Sequence, residues 1–177
     1  MEVTFHREAG SAYHSLAQRP DGVVVRLKGG SYNRLDPPLP HDVAHLVVDD
    51  ELGLEHGVWG VIAAGGLFPQ CAVVSGRRRP HAAERARSVV KEAAADLTQA
   101  EIVVGAVCRL AVARREPDDR LIGRLTGRWR PQSLTPAAVE RARERMQDAA
   151  VRWQAVPVGG ELVLAWGARP RRRSRGA

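Results

Sequence analysis

Cysteine, lysine and aromatic side chains are all scarce in this chain of 177 residues, and each scarcity removes a class of explanation. The two cysteines, Cys71 and Cys108, stand singly in apolar surroundings with no CxxC pair and no disulfide framework. They read as buried, reduced thiols. Aromatic residues make up 5% of the chain, too few for a base-stacking surface, and no DNA-reading motif is present. The longest apolar run, Val58 to Phe68, falls well short of the roughly 20 residues that a membrane helix needs. The first residues, Met1-Glu-Val-Thr-Phe-His-Arg-Glu, carry mixed charge and no apolar segment of the kind a secretion signal requires, so the expected location is the cytoplasm. There is no GxxxxGK[ST] or strand-borne GxGxxG to cradle a phosphate, and no GxSxG to raise a nucleophilic serine.

What is abundant is arginine. The formal net charge is +7, yet Arg169, Arg171, Arg172, Arg173 and Arg175 alone supply five positive charges, leaving the body of the chain near about +2. With lysine only at Lys28 and Lys91, and with much alanine, the composition matches GC-rich bacterial coding. The last residues have no apolar side chain to anchor them, so residues 1–168 are expected to form a single domain and residues 169–177 a disordered arginine-rich tail.

Along the chain, residues 2–7, 12–18 and 23–27 read as three strands of an antiparallel meander, with Asp21-Gly22 as a turn. Residues 31–38 hold Asn33, Asp36, Pro37 and Pro38 and read as a loop. Pro40 suits a helix start, Gly53 a left-handed stop, and the helix between them buries Val43, Leu46 and Val47, with His41 and His45 at the edge of the core and Asp49 beyond it. A second helix, about 57–67, is apolar on every side and therefore buried. Its glycines each cost helix stability, an expense that close approach of another backbone would offset.

From His81 a helical pattern runs to Ala111, either as one rod or as two helices broken near Thr98-Gln-Ala-Glu101, which fits a capping box. Residues 117–134 read as irregular. Thr135-Pro136 is the strongest helix start in the chain, leading to about Trp153, and Glu161–Trp166 reads as a strand that joins the N-terminal meander. The fold class that follows is α+β: a small antiparallel sheet, the N-terminal meander plus the C-terminal strand, covered by about four helices.

One stretch holds the chemistry-bearing residues. His41-Asp42-Val43-Ala44-His45 places two imidazoles at i and i+4 beside a carboxylate, a spacing that lets one helix face hold one metal ion while the acid acts on a bound water. His41 and His45 are thus candidate ligands for zinc or another divalent metal, and Asp42 is the candidate catalytic base. The motif resembles the HExxH of zinc metallohydrolases over these five residues, with aspartate in place of glutamate and without the HxxGxxH continuation that brings their third ligand. Aspartate is one methylene shorter, which reduces its reach toward a metal-bound water. Asp49 is about 12 Å along the helix axis from His41, too far to ligate the same ion, so the third ligand comes from His56, Glu55, His81 or Glu101. The alternative is that Asp42 caps the helix, which leaves His41 outside it and turns His45 into a polar boundary residue.

More widely, the LPHDxxH stretch, followed by an acidic residue, LG and a WG-containing apolar helix, resembles a group of uncharacterised proteins from high-GC bacteria over residues 20–110. That resemblance implies that the stretch is a family feature and brings no activity with it. Two readings of function follow. One is a metal site, supporting metal-assisted hydrolysis if the protein is an enzyme. The other is a non-enzymatic interaction module that binds an acidic protein or polyanion through Arg77-Arg-Arg79 or the tail. The all-apolar second helix also suggests a homodimer.

Overall fold

A computed structural model describes residues 1–77, 80–127 and 134–167. Among the described residues no helix is long and apolar enough to cross a membrane. The N-terminal meander forms as β1 (Glu2–Arg7), β2 (Tyr13–Gln18) and β3 (Val24–Lys28), each of which alternates buried and more exposed residues. Strand alternation sends Val3, Phe5, Tyr13, Ala17, Val25 and Leu27 to the inner face. The chain then pairs β4 (Tyr32–Asn33), inside the segment expected to be a loop, with β5 (Leu39–Pro40) just after it. From it rises α1 (His41–Leu52), ended at Gly53 with φ 67°. Pro40 takes the N-cap position, so Asp42 is not the cap and both histidines lie on the helix.

The second helix, α2 (Val58–Ala63), is shorter than the 57–67 expected, because Gly65 takes φ 105° and turns the chain away. Trp59, Val61 and Ile62 are buried within the chain, as expected of an apolar helix, while Val58 and Ala63 are half-buried. The expected close backbone approach is present at Gly60, where a Cβ would stand 1.8 Å from the carbonyl oxygen of Glu55.

Beyond α2 the chain forms a strand that sequence reading missed, β6 (Cys71–Ser75), which pairs with β3 on the sheet edge. The missed strand is five residues with only two half-buried side chains, so no apolar alternation marks it. The long helical pattern is two helices, α3 (Ala82–Glu92) and α4 (Ala94–Val112), but they part at Ala93. Thr98 caps nothing; its hydroxyl donates back to Ala94 O inside α4. The segment expected to be irregular contains α5 (Asp119–Thr126), started by Asp118, whose carboxylate accepts from Leu121 N at 2.6 Å. The last helix, α6 (Pro136–Ala155), has Thr135 as its cap, and β7 (Glu161–Ala165) returns to the sheet.

The sheet order is β6-β3-β2-β1-β7, antiparallel throughout, so the C-terminal strand does lie beside β1. The fold is α+β as expected, with six helices among the described residues where about four were expected. Residues of the inner sheet face join α1, α4 and α6 in one core. Helix α1 is central: it packs on α6, α4 and α2, and all its residues from Val43 to Asp49 are buried. Arg78, Arg79 and the arginine tail lie outside the described residues.

Arg7 fastens the sheet to α6. Its guanidinium donates to the carbonyls of Val156 at 2.8 Å, Gln154 at 3.2 Å and Trp153 at 3.3 Å, at the helix C-terminus, and lies over the Trp153 ring. Arg7→Ala is expected to lower stability by about 1–3 kcal/mol, measured by urea unfolding, while Arg26→Ala on the outer face changes it by less than about 0.5 kcal/mol.

Candidate metal centre

The i, i+4 spacing of α1 does what it predicts. The His41 and His45 rings lie side by side with centroids 4.6 Å apart. The start of the helix is fixed from several directions: His41 N donates to Ser31 O at 3.0 Å, the Trp59 indole donates to Asp42 O at 2.9 Å, and the Tyr13 hydroxyl donates to Asp42 Oδ2 at 3.0 Å. The Tyr13 ring is held in turn by Gly29, where a Cβ would come within 2.0 Å of it.

Helix α4 supplies the third group. Glu101 Oε2 stands 3.3 Å from His45 Nε2 and 3.8 Å from His41 Nε2. One ligand atom from each of the three residues lies within 4.8 Å of the others, and among the described residues this is the one such cluster of histidine, cysteine and acidic side chains. Ligand atoms about 2.1 Å from a tetrahedral ion stand about 3.4 Å from one another, so small rotations of these side chains would bring them to bonding distance. Of the four residues considered as a third ligand, Glu101 alone joins the pair. Glu55 and His56 line a separate small cleft after α1, and His81 is exposed near Glu84.

The two histidines differ in surroundings. His41 is half-buried, and the Asp42 carboxylate beside it, helped by Glu101, raises its pKa against the opposing effect of burial. His45 is 1% exposed, and neither of its ring nitrogens makes a hydrogen bond to a described residue, since the 3.3 Å approach of Glu101 lacks hydrogen-bond geometry. Contact with His45 holds the Glu101 carboxyl below the usual range, with His41 adding to the effect. Burial and the neighbouring Asp42 charge push the Tyr13 phenol up.

Asp49, expected beyond the edge of the core, is inside it, with its side chain fully buried and both oxygens without a hydrogen bond to a described residue. It lies 3.9 Å from His45 Nδ1. The signal was present in the sequence, because 41, 45 and 49 form one i, i+4 ladder. Its helical angle places Asp49 beyond the histidine stripe, and its axial distance of about 12 Å from His41 sets it aside as a ligand, which leaves out its reach to His45 one turn away.

The cluster opens on a cleft of about 470 Å³ whose walls include Asp42, Lys28, Gln70 and Phe68. Asp42 therefore lines the same space as the three possible ligands. No protein-family model matches the chain, and comparisons with curated proteins and with solved structures find no significant match.

Burial pushes the Asp49 carboxyl up to about 7, with Glu101 acting in the same direction and His45 and the Val58 amide against it. In the unfolded chain such a group titrates near about 3.9. The folded state therefore holds the proton more tightly, and this contribution to stability is complete below about pH 4 and is lost as the pH rises through about 7. The metal-free protein is expected to unfold at lower urea concentration at pH 8 than at pH 5. Asp49→Asn should reduce that difference and raise the midpoint at pH 8; equal pH slopes for the two proteins would show that Asp49 is not the titrating group.

Proposed function

We propose that the protein binds a divalent transition metal through His41, His45 and Glu101, and that zinc is the best fit. The observation that carries the reading is His45: a sealed imidazole whose two nitrogens make no hydrogen bond to a described residue, one of them facing a carboxylate and a second imidazole. Burying a polar group without a partner costs about 1–3 kcal/mol, and a bound cation supplies the missing partner. Two histidines and one glutamate match the ligand set of catalytic zinc sites, which keep a fourth position for water or substrate. Softer, thiol-preferring ions fit poorly, because the cluster holds no cysteine.

The class of reaction that such a centre supports is metal-assisted hydrolysis, in which the metal lowers the pKa of a bound water and polarises the substrate. Asp42, which lines the same cleft, is the carboxylate to orient or deprotonate that water. Lys28 gives the cleft a positive charge for the substrate.

The test is metal analysis of protein made without a histidine tag, followed by competition with a chromophoric chelator. One zinc per chain is expected, with affinity falling as the pH drops through the histidine range, because both imidazoles must be neutral to bind. His41 will compete with protons at a higher pH than an ordinary histidine, since Asp42 raises its pKa. Glu101→Gln, at a half-exposed site that tolerates it, and His45→Ala should each weaken binding by more than about 100-fold, beyond what loss of an outer-shell partner produces. Unsubstituted protein that takes up no stoichiometric zinc, cobalt or manganese would end this reading.

A further inference from the structure

Resting on the metal centre above, we infer that Asp49 is its positioning residue: the carboxylate accepts a hydrogen bond from the Nδ1–H of His45 and so holds Nε2 toward the ion. The His45 imidazole lies between two carboxylates, with Nε2 3.3 Å from Glu101 Oε2 and Nδ1 3.9 Å from Asp49 Oδ2. Only one arrangement of the ring protons suits a metal on the Glu101 side. Nε2 must be bare to ligate, so the single proton of the neutral ring sits on Nδ1, where it faces Asp49. A closure of about 1 Å brings that pair to hydrogen-bond length. Metal-bound histidines commonly donate the other ring N–H to a carboxylate, which fixes the ring and strengthens it as a ligand.

The surroundings of Asp49 fit this role and fit an ordinary structural acid poorly. Its side chain is completely buried, yet neither oxygen is hydrogen-bonded to a described residue, and the arginines that bind the next two residues, Asp50 and Glu51, do not reach it. Space for it is made by Gly57, where a Cβ would stand 2.2 Å from Oδ2. The Val58 amide at the start of α2 makes a competing claim on the carboxylate, and it favours the anion without making a regular hydrogen bond. Asp42 is spaced the same way from His41, at 3.9 Å from Nδ1, but its other oxygen already accepts from Tyr13 and it lines the cleft. Asp49 has no side-chain donor engaging it in that way among the described residues.

Asp49→Asn separates the roles, since the amide keeps the shape and an acceptor for Val58 while removing the charge. The experiment titrates Co²⁺ into metal-free wild type, Asp49→Asn and Asp49→Ala at pH 8, reading affinity and the visible absorption of the tetrahedral ion, with thermal melting of each metal-free protein alongside. The expected result is Co²⁺ binding about 10-fold weaker in Asp49→Asn and approaching about 100-fold weaker in Asp49→Ala, with an altered cobalt spectrum. Metal-free Asp49→Asn should melt at or above the wild-type temperature. Affinity within twofold of wild type for Asp49→Asn, or a loss of affinity accompanied by a matching loss of melting temperature, overturns the positioning role. Wild-type protein that binds no Co²⁺ overturns the metal centre itself, which is a separate outcome.

Discussion

The structure depends on a helix that is buried on nearly every side and carries ionisable groups in with it. Helix α1 touches the sheet's inner residues, α2, α4 and α6, and its core-facing run includes His45 and Asp49 alongside Val43, Leu46, Val47 and Val48. A leucine or methionine at either polar position would fill similar volume without the cost of removing a polar group from water. The acids that follow show how such a cost is normally offset. Asp50 and Glu51 are also nearly sealed, but Arg145 binds both at 3.0 and 3.1 Å and Arg141 adds a third contact at 2.8 Å. Within one turn of helix, two carboxylates are partnered by arginine and one is left without a hydrogen bond to a described residue. That contrast places the unusual chemistry on the 41–45–49 face.

The rest of the architecture makes this face accessible without exposing it. Gly57 lets the turn before α2 press against Asp49 of α1, Gly60 lets α2 close onto the Glu55 carbonyl of that turn, and the Trp59 indole, hydrogen-bonded to Asp42 O and packed edge-on to Phe5, ties helix, sheet and site together. On the other side, α4 brings Glu101 to the rim, where its side chain stays half exposed beside the cleft. The cluster thus grades from sealed His45, through half-buried His41, to exposed Glu101. An ion there would have protein behind it and the cleft in front, the arrangement that leaves a coordination position open.

How far the sequence carried this picture depends on whether the deciding interaction is local. The meander, α1 with its Pro40 and Gly53 boundaries, α6 with Thr135-Pro136 and the return of β7 are all written in short-range signals, and the structure has them. The i, i+4 histidines were legible for the same reason. What was missed is set by tertiary contact. β6 is a strand because β3 offers an edge, although its side chains are largely exposed. The parting of α3 from α4 falls at Ala93, an excellent helix former with no breaker beside it, while the sequence's capping-box pattern at Thr98 goes unused. The choice of Glu101 over Glu55, His56 and His81 needed the packing of α4 on α1, which no spacing in the sequence encodes.

The His45–Asp49 pair also bears on whether the site is merely a buried ion pair. An ion pair retained for stability in a core gains by short, well-directed hydrogen bonds, because only those repay the desolvation of both partners. Here the separation is 3.9 Å, and neither member has a hydrogen bond from any described residue. The imidazole is turned with its far nitrogen toward Glu101 at 3.3 Å, so its orientation answers to the cluster on α4 as much as to its helical neighbour. Three polar groups poised near one another, each short of its own best bond, are what a shared positive charge would draw together. Without such a charge, the same positions would be better filled by the aliphatic side chains that surround them.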